Sequence, residues 1–308
     1  MDLDLIRTEE YLQDADLENY KLVFSELEVE HPDFFNLYTR NILNMGVPSD
    51  SNYQLYDTMY KYLVDDSYMS RLQDSVSAAF EGSKEWEDEL ELALRYYMHY
   101  FPRREIPAIY TFVAPFVYQV VVTNEAVGIE LDMFMGEHFS YYSSLAANLP
   151  QYLLYRFHPR YITVSVMRAL MDGETGILSP ESNLLDEMIL EGKMMYYLDL
   201  MMPDTPDSIK IGYTKAQLDW CFDNDVEIWK FFAGEELFFS TKTQDKQRYI
   251  GEAPNAFGMP EESPGRIGVW LGWQIVRSYM KEHSEMSIQE LFMQNDGMKV
   301  LEESNYTP

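Results

Sequence analysis

Hydrophobic spacing changes twice along the chain. In "HPDFFNLYTRNILNMG", Phe34, Leu37, Tyr38 and Ile42 fall on one helical stripe that ends on Gly46. A second helical pattern, "SDSNYQLYDTMYKYLVDD", opens on the capping residues Ser49, Asp50 and Ser51. A third, "SKEWEDELELALRYYMHYFP", has acids in its first turns and Pro102 at its end. Over residues 106–132 the period falls to two. The segments "PAIYTFV", "VYQVVVT" and "VGIELDM" are β-branched and aromatic, and "TNEAVG" joins the last two as a hairpin. This predicts a small, mostly antiparallel sheet between two helical halves. "FMGEHFSYYSSLAANLPQYLLYRFHPRY" is aromatic and irregular, suited to a cleft wall or a covering loop. Helical spacing then returns in "PRYITVSVMRALMDG", which Gly173 ends, and in "SNLLDEMILEGKMMYYLDLMMP", which Pro203 ends. "TKAQLDWCFDNDVEIWKFF" reads as one or two helices, and "SIQELFMQNDGMKVLEES" as the closing ones. In "SPGRIGVWLGWQIVRSYMKEH", Ser263 is the expected N-cap, with Pro264 at the first helical position. No repeat or linker divides the chain. The prediction is one α+β domain, predominantly helical: residues 1–105 helical, 106–135 a small sheet, 136–308 helical again.

With 308 residues, 46% of them hydrophobic, the chain is long enough to bury a large core. Its 23 Lys and Arg against 52 Asp and Glu give a formal net charge of -29, which sets a repulsive field against nucleic acid and anionic lipid. Cys221 is the single cysteine, so neither an intrachain disulfide nor a cysteine zinc knuckle can form. The opening "MDLDLIRTEEYLQD" has no basic segment followed by an apolar one, and so no secretion signal is read there. The apolar run 106–122 holds Pro107, Thr111, Pro115 and Gln119, which favours strands over a membrane span.

The chemistry concentrates in "LLDEMILEGKMMYYLDLMMP". Glu187 and Glu191 are four residues apart and share a helical face. Such a pair can face water, contact a neighbouring helix, or serve a metal or acid–base site. A zincin needs HExxH, and among His31, His99, His138, His158 and His283 no two lie within four positions. The preceding helix offers Ser165, Met167 and Arg168 but no imidazole. Gly268 and Gly272 form a glycine face where another backbone can approach closely, which favours tight helix packing. Arg266, in the first turn of that helix, opposes the helix dipole and calls for a carboxylate partner, with Glu191 or Glu187 as candidates. Dinucleotide, P-loop and nucleophile-elbow motifs are absent, and Cys221 between Trp220 and Phe222 reads as buried.

The motifs "LLDEMILEGKMMYYLDLMMPD", "IGYTKAQLDWCFDNDVEIWKFF" and "SPGRIGVWLGWQIVRSYM", with "SNYTP" at the end, resemble the gliding-motility-associated lipoprotein family GldB of Bacteroidetes. The resemblance runs from "HPDFFNLYTRNIL" onward. That family is in turn similar to zincin-type predicted zinc proteases, whose HExxH helix is followed by a helix with an "EG" pair supplying the third ligand. The resemblance implies that Glu191 of "LEGK" is the counterpart of that ligand and that the helix 159–170 is the counterpart of the HExxH helix. It also makes the sheet the zincin sheet whose edge strand holds substrate. Both histidines and the general-base glutamate are missing, so the implied scaffold is degenerate and zincin-like.

The function implied is that of a non-catalytic cell-envelope lipoprotein domain, periplasmic and lipid-anchored, associated with gliding or envelope machinery. It would bind an envelope protein or peptide in the old cleft, with Glu187, Glu191, Arg266, Trp270 and Trp273 as binding residues and Tyr141 and Tyr142 in the wall. No catalytic residue, metal or cofactor is expected, and membrane contact is expected only through a lipid anchor outside this sequence. The alternative is a hydrolase that joins Glu187 and Glu191 to His158 or His138 around a metal.

Overall fold

The computed structural model describes residues 5–46, 53–145, 149–172, 178–179 and 181–308. The caps expected at Ser49, Asp50 and Ser51 and the stop at Gly173 lie outside these residues. The chain forms two compact units, Met1–Leu170 and Met171–Pro308.

The first unit is predominantly helical around a small sheet. It runs β1 (Leu5–Arg7), α1 (Thr8–Asp14), α2 (Tyr20–Glu30), α3 (Pro32–Asn36), α4 (Tyr53–Met59), α5 (Ser67–Phe80), α6 (Glu85–Tyr100), β2 (Ala108–Phe112), β3 (Val120–Val122), β4 (Ala126–Glu130) and α7 (Ile162–Met171). The stripe of Phe34, Leu37, Tyr38 and Ile42 is buried. Its helix widens into a π-helical turn over Leu37–Ile42, where the Leu43 amide donates to the Tyr38 carbonyl at 2.8 Å. The Tyr38 hydroxyl crosses to the Val113 carbonyl, also at 2.8 Å, and so fixes this helix to the end of β2.

The four strands stand in the order β1-β2-β4-β3. The expected hairpin is present, with Val121 opposite Gly128. The sheet is mixed, however, and not mostly antiparallel: β1 pairs β2 in parallel and β2 pairs β4 in parallel. The cause is topological. All the helices from α1 to α6 lie between β1 and β2, a crossover long enough for parallel pairing. β3 then takes the outer place, so that β4 returns beside β2 in the same direction. Every residue of β4 is buried, as parallel central strands require, whereas β3 is half-buried. Beyond β4 the aromatic segment is a series of short 3-10 turns, Leu131–Phe134, Ser140–Leu145, Gln151–Arg156 and Pro159–Tyr161.

Among its described residues the second unit is all helical: α8 (Leu184–Met201), α9 (Asp207–Ile211), α10 (Lys215–Asp223), α11 (Asp225–Gly234), α12 (Thr243–Tyr249), α13 (Ile267–Glu282), α14 (Ile288–Phe292) and α15 (Gly297–Glu303). A capping box starts α8, with Asn183 and Asp186 exchanging side-chain and backbone hydrogen bonds. Its centre is a backbone-to-backbone crossing of α8 and α13. A Cβ added at Gly272 would lie 1.9 Å from the Met188 carbonyl oxygen, and one at Gly192 would lie 2.4 Å from the Gly272 oxygen. No side chain fits between these two helices, which explains glycines in buried helix interiors where each costs about 1 kcal/mol of propensity.

The start of α13 departs from the expected cap. Ser263 is fully buried and donates its hydroxyl to the Pro260 carbonyl at 2.6 Å. The residue at the N-cap is Arg266, in the left-handed region at φ 58°. That turn interrupts helical geometry between Pro264 and Ile267, so a helix cannot run through from the proline.

Gly272→Ala should therefore destabilise the protein by about 2 kcal/mol despite alanine's better propensity, because backbone must move. Gly234→Ala, at a helical site with nothing within 4 Å of the added Cβ, should be neutral or stabilising. Chemical denaturation of both variants checks the contrast.

Candidate functional site

The polar face of α8 is met by cations carried on the elements around it. Lys246 of α12 pairs with Glu187 at 2.8 Å and donates to the Ser182 hydroxyl at 3.0 Å. Arg266 lies 3.9 Å from Glu191 and 3.6 Å from Glu252, and its Nη1 donates to the Ile211 carbonyl at 2.9 Å. The arginine side chain is 11% exposed. Of the two partners proposed for Arg266, the structure brings Glu191 to it, and Glu187 belongs to Lys246. The opposed helix dipole is offset by two carboxylates and a carbonyl converging on one guanidinium.

Trp270 and Trp273, on α13, are both fully buried. The Trp270 ring packs edge-on to Phe222 with centroids 5.6 Å apart, and its indole nitrogen has no hydrogen-bond partner among the described residues. The Trp273 indole donates to Asp199 Oδ2 at 2.9 Å. Both rings are core in this conformation. Glu187, Glu191 and Arg266 are the three binding candidates with side chains that reach the surface. Tyr142, in the first unit, is buried and donates to the Asp132 carbonyl at 2.7 Å, while Tyr141 is half-buried and stacks on Phe139.

Two turns beyond Glu191, near the end of α8, lies a second charged group that spacing did not reveal. Asp199 accepts from Arg277 Nε and Nη2, both at 2.7 Å, and from Lys210 Nζ at 2.9 Å. Asp207, at the start of α9, accepts from Arg277 Nη1 at 2.7 Å and Nη2 at 2.9 Å. The guanidinium also stacks on Trp273, 3.8 Å from the ring centre. Burial works against the charge on Asp207, but the hydrogen bonds and charge of Arg277, together with Lys210, hold its carboxyl below the usual range. Burial likewise opposes the charge on Arg277, and the two aspartates more than restore it. The legible signal was an acid in the apolar run "YYLDLMM" and a Trp–Arg pair four residues apart on "WQIVR".

Lys193, beside Gly192, is 2% exposed and donates to the Gln294 carbonyl. Burial pulls its amine down to about 8, with Asp186 pulling the other way. Burial also pushes the Cys221 thiol up, leaving it protonated and unreactive.

In the first unit, a cavity of about 510 Å³ is lined by Arg7, Glu9, Glu10, Gln13, Ser77 and Phe80 among others. Glu9 is buried, which raises its carboxyl, and accepts from the Thr111 hydroxyl at 2.7 Å. Arg7 is held by Glu87 and lies 3.5 Å from Glu9. His138 is exposed, 3.4 Å from Glu137. His158 caps the last 3-10 turn by accepting from the Arg160 amide, and burial and then Arg160 lower its imidazole. Among the described residues no three His, Cys, Asp or Glu side chains converge as a metal ion requires.

These features define a helical α+β protein whose candidate site is a set of carboxylates satisfied by the protein's own cations. A family model described as gliding motility protein GldB matches residues 1–308, and the chain belongs to that family. It is accordingly a gliding-motility-associated protein. No curated protein and no solved structure matches it. Among the described residues no helix is long and apolar enough to cross a membrane.

Replacing Arg266 with Ala should lower the melting temperature by several degrees, since two carboxylates and a carbonyl lose their donor, with a cost of about 2 kcal/mol. Arg266→Lys should fall between, keeping charge without the fork. Asp199→Asn should cost about 3 kcal/mol, because Arg277 and Lys210 then share one carboxylate. With Asp207 below its ordinary range, its contribution is full above about pH 4 and is lost as pH falls through the lowered value. Calorimetry at neutral and acid pH checks both.

Proposed function

We propose that this protein is a non-catalytic, lipid-anchored component of the cell envelope that holds a protein or peptide partner of the gliding machinery. The observation that carries this reading is the arginine at Glu191. In the zincin comparison Glu191 corresponds to the third metal ligand, and here it faces Arg266 at 3.9 Å. A guanidinium beside that carboxylate repels a divalent cation and already satisfies the charge that a metal would neutralise.

The donor set agrees. The helix 159–170 carries no histidine, and no cluster of three metal-binding side chains exists among the described residues. On this reading the chain keeps a degenerate zincin-like scaffold and uses the rim around Glu187, Glu191 and Arg266 for recognition. Three carboxylates and two cations alternate there, counting Glu252 and Lys246. A partly exposed rim of this kind, with its carboxylates more open than its cations, suits a partner that brings basic groups to those carboxylates. The family's lipoprotein character supports an envelope location.

Elemental analysis of chelator-free protein, with thermal melts with and without added zinc, tests the reading. Substoichiometric metal and an unchanged melting temperature are expected. Near-stoichiometric zinc with a raised melting temperature would establish the hydrolase alternative instead.

A further inference from the structure

The cavity of the first unit, at about 510 Å³, has the size of a small-molecule site. Its walls come from two places in the chain. On one side stand Arg7, at the end of β1, and Glu9 and Glu10 in the first turn of α1; on the other stand Ala78 and Phe80 in the last turn of α5, with Glu81 just past it. Gln13 of α1 donates to the Ser77 hydroxyl of α5 and ties the two walls together.

The interior is part apolar and part acidic. Phe80 and Leu131 are both buried, and the Phe80 ring is steadied by edge-on packing against Trp86 at 6.2 Å. The carboxylates lie at two depths. The Glu9 side chain is 5% exposed, whereas that of Glu10 is 68% exposed and Glu81 is exposed too. Glu9 is thus a deep carboxylate, and the other two stand at the rim.

Glu9 is short of donors. The Thr111 hydroxyl lies 2.7 and 3.0 Å from its two oxygens, yet a hydroxyl has one proton to give. Arg7 Nη1 stands off at 3.5 Å from Oε1. Burial outweighs Thr111, the residue's own amide and Arg7, so the carboxyl stays raised. A buried oxygen in the cavity wall therefore keeps room for one more donor.

The charge around that oxygen decides which donor fits. Arg7 is the one cation among the described residues that line the cavity, and it is already engaged: Nη2 with Glu87, Nη1 towards Glu9, and Nε 3.9 Å from Glu10. Four glutamates, Glu9, Glu10, Glu81 and Glu87, stand against this single guanidinium. The last turn of α5 adds the partial negative charge of a helix C-terminus. An anion would meet repulsion at the floor and at the rim. A metal ion would need three converging ligands, and among the described residues no such group exists.

We propose that this cavity binds an aliphatic diamine, with one ammonium donating to Glu9 at the floor, the hydrocarbon stem lying on Phe80 and Leu131, and the second ammonium meeting Glu10 and Glu81 at the rim. A lysine side chain carries the same head and stem, but it brings no second charge to the rim. The site is built from residues of the first unit alone and does not depend on the recognition rim of the second.

Calorimetric titration of the whole chain with cadaverine at low salt tests the proposal. One cadaverine per chain should bind with a dissociation constant of about 1 mM or tighter, and pentylamine, which lacks the second charge, at least about threefold more weakly. Glutarate, of the same length and opposite charge, should not bind. Glu9→Gln should weaken cadaverine at least about tenfold. Ala78→Trp, at an exposed position in the wall that leaves every charge in place, should block the cavity and abolish binding even if Glu9→Gln fails to fold. A capped pentapeptide with one central lysine separates the two sources of the head group: weaker binding than cadaverine supports the free diamine, and tighter binding overturns it in favour of a partner's side chain. A protein of net charge -29 also gathers cations diffusely. Cadaverine uptake without a defined stoichiometry, or uptake that Ala78→Trp leaves unchanged, would therefore sink the proposal, as would preferential binding of glutarate.

Discussion

The second unit depends on a contact in which no side chain takes part. At the crossing of α8 and α13 the backbone of one helix rests on the backbone of the other at Gly192 and Gly272. The charged groups that α8 and α13 share take their place from that contact. Glu191 precedes Gly192 and meets Arg266 near the head of α13, and Asp199, two turns further along α8, meets Trp273 and Arg277 further down α13. Helices held a side chain's width apart would leave those groups spanning water. Close approach turns them into partly buried ion pairs, short at Arg277 and Asp199, where an arginine fork and a carboxylate interact more strongly than at a surface.

The same economy of cations runs through the molecule. With 52 acidic and 23 basic residues, a lysine or arginine in the fold readily meets a carboxylate. Arg7, Arg266, Arg277, Lys210 and Lys246 each answer at least one carboxylate, and Arg7, Arg266, Arg277 and Lys210 answer more than one. The exception is instructive. Glu130 and Asp132 are buried with no cation beside them among the described residues, and four backbone amides answer them instead.

The helices were legible because their signals are local: a stripe at Phe34, Leu37, Tyr38 and Ile42, the punctuation of Pro102 and Pro203, and glycines whose spacing announced a close contact. The hairpin was legible for the same reason. The parallel pairings were not, because β1 has only three residues and its partner lies about a hundred positions away. Ser263 and Pro264 carry the composition of a helix start, and tertiary packing of the loop overrode it. Of the site, the pairing of Arg266 with Glu191 followed from an opposed dipole needing a carboxylate. The burial of Trp270 and Trp273 was hidden because aromatic residues at helical spacing look alike in a core and in a cleft. The group around Asp199 was missed because its members come from three separate helices.

Lys193 shows what an amine can do in a place where a carboxylate could not. Its contact with the Gln294 carbonyl survives deprotonation, since a neutral amine keeps hydrogens to donate. With the amine pulled down to about 8, the unfolded chain binds the extra proton more tightly than the folded one through mildly alkaline conditions. The seal of the C-terminal segment on α8 is therefore strengthened, and not weakened, as the solution turns basic. The buried Glu130 of the first unit and the buried amine of the second thus act in separate ranges of pH, the acid favouring the fold less as pH rises to about 7 and the amine favouring it more from about 8 upward.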